Sequence, residues 1–194
     1  MTTHAGPQAH AFPDADHLDA WLTAHPAPHT GDLWVMVAKK GSGIRSVDAG
    51  EVNDVALCHG WITGIRRRLD ERYFLQRITP RRPDSAWSTV NVRRVAELTA
   101  AGRMRTGGLT EVAAARADGR WAAAYASQRE AAVPQDLTTA LADHPTARRA
   151  FERLGRTDRY LVVLGLLKAR TPHTRVTRLR AVPAELEAAG RDRT

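Results

Sequence analysis

Hydrophobic and polar residues alternate in three different rhythms along this chain. Leu33-Trp-Val-Met-Val-Ala38 is a short apolar run rich in β-branched and aromatic residues, which predicts a buried strand closed by the Lys39-Lys40-Gly-Ser-Gly43 turn. Ile65–Leu69 and Tyr73–Ile78 predict a hairpin joined by Asp70-Glu-Arg72. Helical spacing takes over elsewhere. Leu18, Trp21 and Leu22 mark a short helix, and Val52, Val55, Ala56 and His59 form one stripe of a helix over 48–61 that Gly60 and Gly64 would end.

From residue 85 the pattern is helical throughout. Ser85 is a candidate N-cap for a helix to about Ala101, with Gly102 as its stop. A helix to Ala117 follows Gly107-Gly108, and Trp121 and Tyr125 sit four apart as on one helix face. Further helices are expected from Pro134 to about His144, over 146–154, 158–169 and 174–189. The expected class is α+β. It divides into a loose leader (1–13), a small strand-containing half (14–80) and a helical half (81–190), packed as one unit.

Composition adjusts this picture little. A chain of 194 residues with 43% apolar side chains fills one packed unit. Its longest apolar run, Leu161–Leu167, is far short of the roughly 20 residues of a membrane helix. The start MTTHAGPQAHAF lacks the basic and apolar regions of a secretory signal, so a cytoplasmic protein is expected, without membrane insertion. The net charge of +8 suggests nucleic acid, but all but three of the 29 basic residues are arginines spread along the chain. That is a compositional bias rather than a binding stripe, and nucleic acid ranks behind a small molecule as partner. Oligomeric state is not legible.

The candidate chemistry gathers at Thr79-Pro-Arg-Arg-Pro-Asp-Ser-Ala-Trp-Ser-Thr-Val-Asn91. Pro80 and Pro83 hold the preceding residues extended. A helix from Ser85 would carry Trp87, Ser88 and Asn91, with Trp87 and Asn91 near one face. Arg81 and Arg82 then either clamp the two halves or hold an anion at the helix start. His59, beside Trp61, is a titratable group near neutral pH and a possible ligand donor or proton carrier. The single cysteine, Cys58, reads as a small core residue, since helical neighbours diverge by about 100° and Cys58-His59 make a poor nucleophile–base pair. His25 and His29 have metal-ligand spacing, but Pro26 and Pro28 forbid the helix it needs, so no metal is expected. No nucleotide or hydrolase motif occurs, and no cofactor is expected.

Several blocks resemble the YdeI/OmpD-associated, or bacteriocin-protection, family. They are Leu57-Cys-His-Gly-Trp-Ile-Thr-Gly64, Tyr73 to Pro83, Trp87-Ser-x-x-Asn91, Gly102-Arg-Met104, Gly108-Leu109, Gly119-Arg-Trp-x-x-x-Tyr125 and Ala169 to Leu179, together spanning about 18–180. The family pattern has an aromatic residue where His59 stands, an acidic one at Thr63, lysine at Arg170 and glutamate at His173. The resemblance implies a resistance-type protein but no agreed reaction. Joined to the residue reading, it gives an Arg/Trp-lined cleft between the halves that takes a flat or anionic organic molecule. Arg81 and Arg82 would hold its charge, Ser88 and Asn91 its polar atoms, Trp61 and Trp87 its faces, and His59 a proton. If the protein is an enzyme, cofactor-free acid–base chemistry is expected. A non-catalytic binding protein and a nucleic-acid binder using Arg66-Arg67-Arg68 with Arg175, Arg178 and Arg180 are the alternatives.

Overall fold

The computed structural model describes residues 9–26, 31–169 and 171–191. The architecture is α+β: a four-stranded sheet in the N-terminal half and eight helices among the described residues. Two compact units are present among the described residues, one up to residue 87 with 91–123, the other of residues 88–90 with those from 124 onward. The division therefore comes after Ala123 rather than at residue 80. The segment that follows the sheet ties back onto the helix of residues 49–58: Arg94 and Arg103 both meet the Asp54 carboxylate, and residues 107–108 abut residues 57–59.

In the first unit the elements are β1 (Ala9–Ala11), α1 (Ala15–Ala24), β2 (Leu33–Ala38), α2 (Ala49–Cys58), β3 (Trp61–Arg68), β4 (Tyr73–Pro80), α3 (Thr89–Ala100) and α4 (Thr106–Ala117). The first two residues of α3, Thr89 and Val90, group with the second unit together with Ser88. Strand order is β1-β2-β4-β3, with β1 parallel to β2 and the other pairs antiparallel. β1 corrects the leader expectation. Ala-His-Ala carries no strand signal, yet it pairs with Trp34, Val35 and Met36 and buries the adjoining Phe12. Residues 1–8 of that leader, residues 27–30 of the expected break before β2, and Arg170 lie outside the described residues.

Local chemistry explains most boundaries. Asp14 caps α1 by accepting the His17 N–H, and Asp48 with Glu51 closes a reciprocal capping box on α2. α2 stops at Cys58 because Gly60 takes a φ of +78°, a conformation open to glycine. Trp61 therefore begins β3 rather than ending a helix, and Gly64 sits beside a register shift between Thr63 and Arg66. The β3–β4 turn is held by Asp70, whose Oδ1 accepts from Arg72 N (2.7 Å) and Tyr73 N (2.8 Å).

The core of this unit lies on one sheet face. Leu33, Val35, Val37, Ile78 and Trp61 meet Leu18 and Leu22 of α1 and Val52, Val55 and Ala56 of α2. Two helix expectations fail nearby. Ser85 does not cap α3; its Oγ accepts the Arg82 N–H (3.0 Å) and its N–H bonds back to Arg82 O (2.9 Å), closing a local turn that competes with helix. The helix starts at Thr89, leaving Trp87 and Ser88 outside it. Residues 120–123 are turns and Tyr125 forms an isolated bridge, not a helix.

The second unit is helical: α5 (Gln135–Ala142), α6 (Pro145–Arg153), α7 (Arg156–Leu167) and α8 (Pro172–Arg191). Leu137, Leu141, Ala147, Phe151, Val163, Leu166, Val182 and Leu186 form its core. Arg175 of α8 holds Asp136 of α5 at 2.7 and 3.0 Å. Ser88 belongs here, as a parallel bridge to Tyr125 beside the Thr89 N–H to Tyr125 O bond (2.9 Å).

Candidate ligand-binding site

Gly60 and the start of α4 meet backbone to backbone. A Cβ on Gly60 would lie 2.7 Å from Gly107 O, and one on Gly107 would lie 2.7 Å from His59 O. Only glycines allow this approach, and Arg105 N adds a hydrogen bond to Cys58 O (3.1 Å). The contact brings two sequence blocks, 57–64 and 102–109, around one opening.

That opening is a cavity of about 490 Å³ contained in the first unit. Leu22, Met104 and Leu109 give it apolar wall, Trp61 an aromatic one, and His59 and Arg105 its ionisable groups. Thr106 and Gly107 bring the N-terminus of α4 to it, where the helix dipole is positive.

His59 does not stand alone. Its Nε2 is 2.8 Å from Asp19 Oδ1, and Arg105 Nη2 reaches Asp19 Oδ2 at 2.6 Å with Nε 3.3 Å from Oδ1. Burial alone would raise the Asp19 carboxyl. The hydrogen bonds from Arg105 and His59 outweigh it and hold that carboxyl below its ordinary value. The ionised Asp19 in turn fixes the imidazole through Nε2. Nδ1 has no hydrogen-bond partner among the described residues and is the nitrogen left for a ligand. The His59 side chain is 8% exposed and that of Arg105 54%, so the imidazole is sunk in the wall while the guanidinium reaches solvent. Cys58, next door, is buried; its thiol is pushed up by burial, which suits core packing rather than nucleophilic chemistry.

Of the residues singled out in the sequence, the structure brings only His59 and Trp61 to this cavity. Arg81 is buried, with its guanidinium carbon 3.5 Å above the Trp87 ring and Nη1 3.5 Å from Ala86 O. Trp87 is also buried and leans on Trp121 at 4.8 Å between ring centroids. Its Nε1 has no hydrogen-bond partner among the described residues. Arg82 is exposed, Asn91 is half-buried on α3, and Ser88 belongs to the bridge with Tyr125. Asp19, Met104 and Arg105 were not singled out as candidates. Met104 lay within a resemblance block, but nothing in the short helix of residues 15–24 marks Asp19 as a histidine's partner. No group of three or more metal-ligating side chains suited to an ion occurs among the described residues. No described helix is long and apolar enough to cross a membrane.

Residues 10–111, more than half of the chain, match a family model described as Domain of unknown function (DUF8412). Residues 130–189 match the model described as Bacteriocin-protection, YdeI or OmpD-Associated. The chain belongs to the DUF8412 family, with a YdeI/OmpD-associated C-terminal part. That second match is narrower than the span of about 18–180 drawn from the sequence blocks, and it covers α5 to α7 and most of α8. The cavity lies wholly in the DUF8412 part. No curated protein and no solved structure matches the chain.

Proposed function

We propose that this bacteriocin-protection relative binds a small organic molecule with an anionic group in the cavity of the first unit. The observation that supports it is the Asp19–His59–Arg105 chain at the wall of a cavity whose lining includes Trp61, Leu22, Met104 and Leu109. Arg105 holds the ligand's charge, together with the positive end of α4. The apolar side chains receive its flat part, and Trp61 borders it. Arg105 takes the part that sequence spacing gave to Arg81 and Arg82. Binding in this reading serves protection by sequestering the molecule inside the cell.

A second reading adds turnover. The Asp19–His59 bond is the kind that fixes an imidazole's tautomer and orientation, leaving Nδ1 to take or give a proton. Aromatic carboxylates such as benzoate and indole-3-carboxylate test both readings. Binding should quench tryptophan fluorescence and raise the melting temperature of the wild type, and Arg105→Ala should remove both effects. His59→Gln should keep affinity and abolish conversion of any ligand that the wild type changes. Conversion surviving in His59→Gln would sink the proton-carrier role. Equal binding by wild type and Arg105→Ala would sink the site.

A further inference from the structure

β3 is an edge strand, with β4 on one side and no strand on the other among the described residues. Such an edge leaves alternate backbone N–H and C=O groups without a ladder partner. Residues 64–68 are all exposed, Ile65 at 51%. The register shift between Thr63 and Arg66 limits the regular edge to the segment beyond it. None of these residues lines the cavity.

Three arginines occupy this edge, and the pleat sends them to both faces. Arg66 stands opposite Gln76 and Arg68 opposite Phe74, on the face shared with Val35 and Val37, while Arg67 stands opposite Leu75 on the reverse face. Each guanidinium is carried by its own sheet. That of Arg66 lies 4.7 Å over the Phe74 ring and donates through Nε to Gln76 Oε1 (3.0 Å), and that of Arg67 lies 5.1 Å over the Trp34 ring. Arg68 pairs with Glu71, but neither Arg66 nor Arg67 has a carboxylate partner among the described residues. The edge thus holds two uncompensated cations in fixed positions, one per face.

That arrangement selects among partners. A second copy pairing edge to edge would set this arginine run against another, which like charge disfavours. A nucleic-acid backbone is best met by cations gathered on one face, not split across a strand. An added peptide strand matches both features, since its own side chains alternate between faces and its backbone can complete the ladder. We infer that the outer edge of β3, from Ile65 to Leu69, takes an acidic extended segment of a partner protein as an additional strand. Its carboxylates meet Arg66 on one face and Arg67 on the other, and an apolar side chain covers Ile65.

The probe is a fluorescein-labelled peptide of alternating glutamate and valine, titrated with the whole protein at low salt and followed by anisotropy. Saturable binding is expected, with amide shifts in nitrogen-15 spectra centred on residues 65–69. Arg66→Glu/Arg67→Glu should weaken it about tenfold or more, because two attractions become repulsions. The same peptide with alternate amides N-methylated needs no protein variant, and it should lose binding to the wild type while keeping its charge. Undiminished binding of the methylated peptide would overturn strand addition. Displacement of the peptide from these residues by a tighter-binding DNA oligonucleotide, or no saturable binding, would overturn the acidic-strand assignment.

Discussion

Two of the places where the first unit brings an arginine and a tryptophan together differ in what the guanidinium reaches. At Arg81 the group is buried on the Trp87 ring, with Nη1 turned to Ala86 O, so it acts as filling that happens to be charged. At Arg105 the group is about half exposed, tied at one end to Asp19, and borders an open cavity with Trp61. Identical residue types therefore give a structural stack in one place and a candidate ligand contact in the other. The difference lies in the third partner. Trp121 closes the first pair, whereas Asp19 and His59 leave the second open.

Substitutions can sharpen that contrast, and the largest effect should come from the scaffold beneath the cavity. Gly108→Ala places a methyl 2.7 Å from Leu57 O and closer still to Cys58 O, both backbone atoms that cannot turn aside. It should cost about 3 kcal/mol by overpacking and abolish ligand effects by displacing α4, as read by urea denaturation. Arg81→Met comes next. It keeps the length of the chain but removes the charge from the Trp87 face, and it should cost about 2 kcal/mol in the same measurement while leaving ligand response intact. Arg105→Ala should do the reverse, changing stability by less than about 1 kcal/mol because its ion pair is solvent-screened, yet removing the ligand response.

The smallest effect concerns acid. The side-chain and backbone hydrogen bonds from His17, joined by its charge and by Arg45, hold the Asp14 carboxyl at about 2, below its ordinary 3.8. A carboxyl depressed in the folded state binds fewer protons folded than unfolded, so its stabilisation is complete above about pH 4 and lost as pH falls toward 2. Asp19 acts in the same direction. Melting temperature against pH should fall through this window, and Asp14→Asn should flatten the decline while still capping α1.

Sequence and structure agree where the signal is local. The run 33–38, the 73–78 strand with its Asp70 turn, the Gly102 stop and the Asp48–Glu51 helix start all follow from propensity and short-range hydrogen bonding. β1 escaped because its only support is the neighbouring strand. α3 was begun four residues early because Ser85 spends its hydroxyl on a turn, the other use such residues have. For the site, His59 and Trp61 were legible as an uncommon pair beside a glycine. Asp19 and Arg105 were not, since Asp19 lies 40 residues before His59 and 86 before Arg105, and only the packing of α1 and α4 against α2 joins them. The burial of Arg81 and Trp87 was not legible for the converse reason: their spacing is as suggestive as any binding motif, and burial is a property of the fold.

The central claim is that the cavity, and not the 79–91 segment, receives the ligand. The most direct measurement is thermal unfolding of wild type, Arg105→Ala and Arg81→Met, each with and without a panel of aromatic carboxylates. The account predicts a ligand-induced rise in the wild type, the same rise from a lower starting temperature in Arg81→Met, and a normal starting temperature with no rise in Arg105→Ala. A rise kept in Arg105→Ala and lost in Arg81→Met would contradict it and move the site to the buried stack.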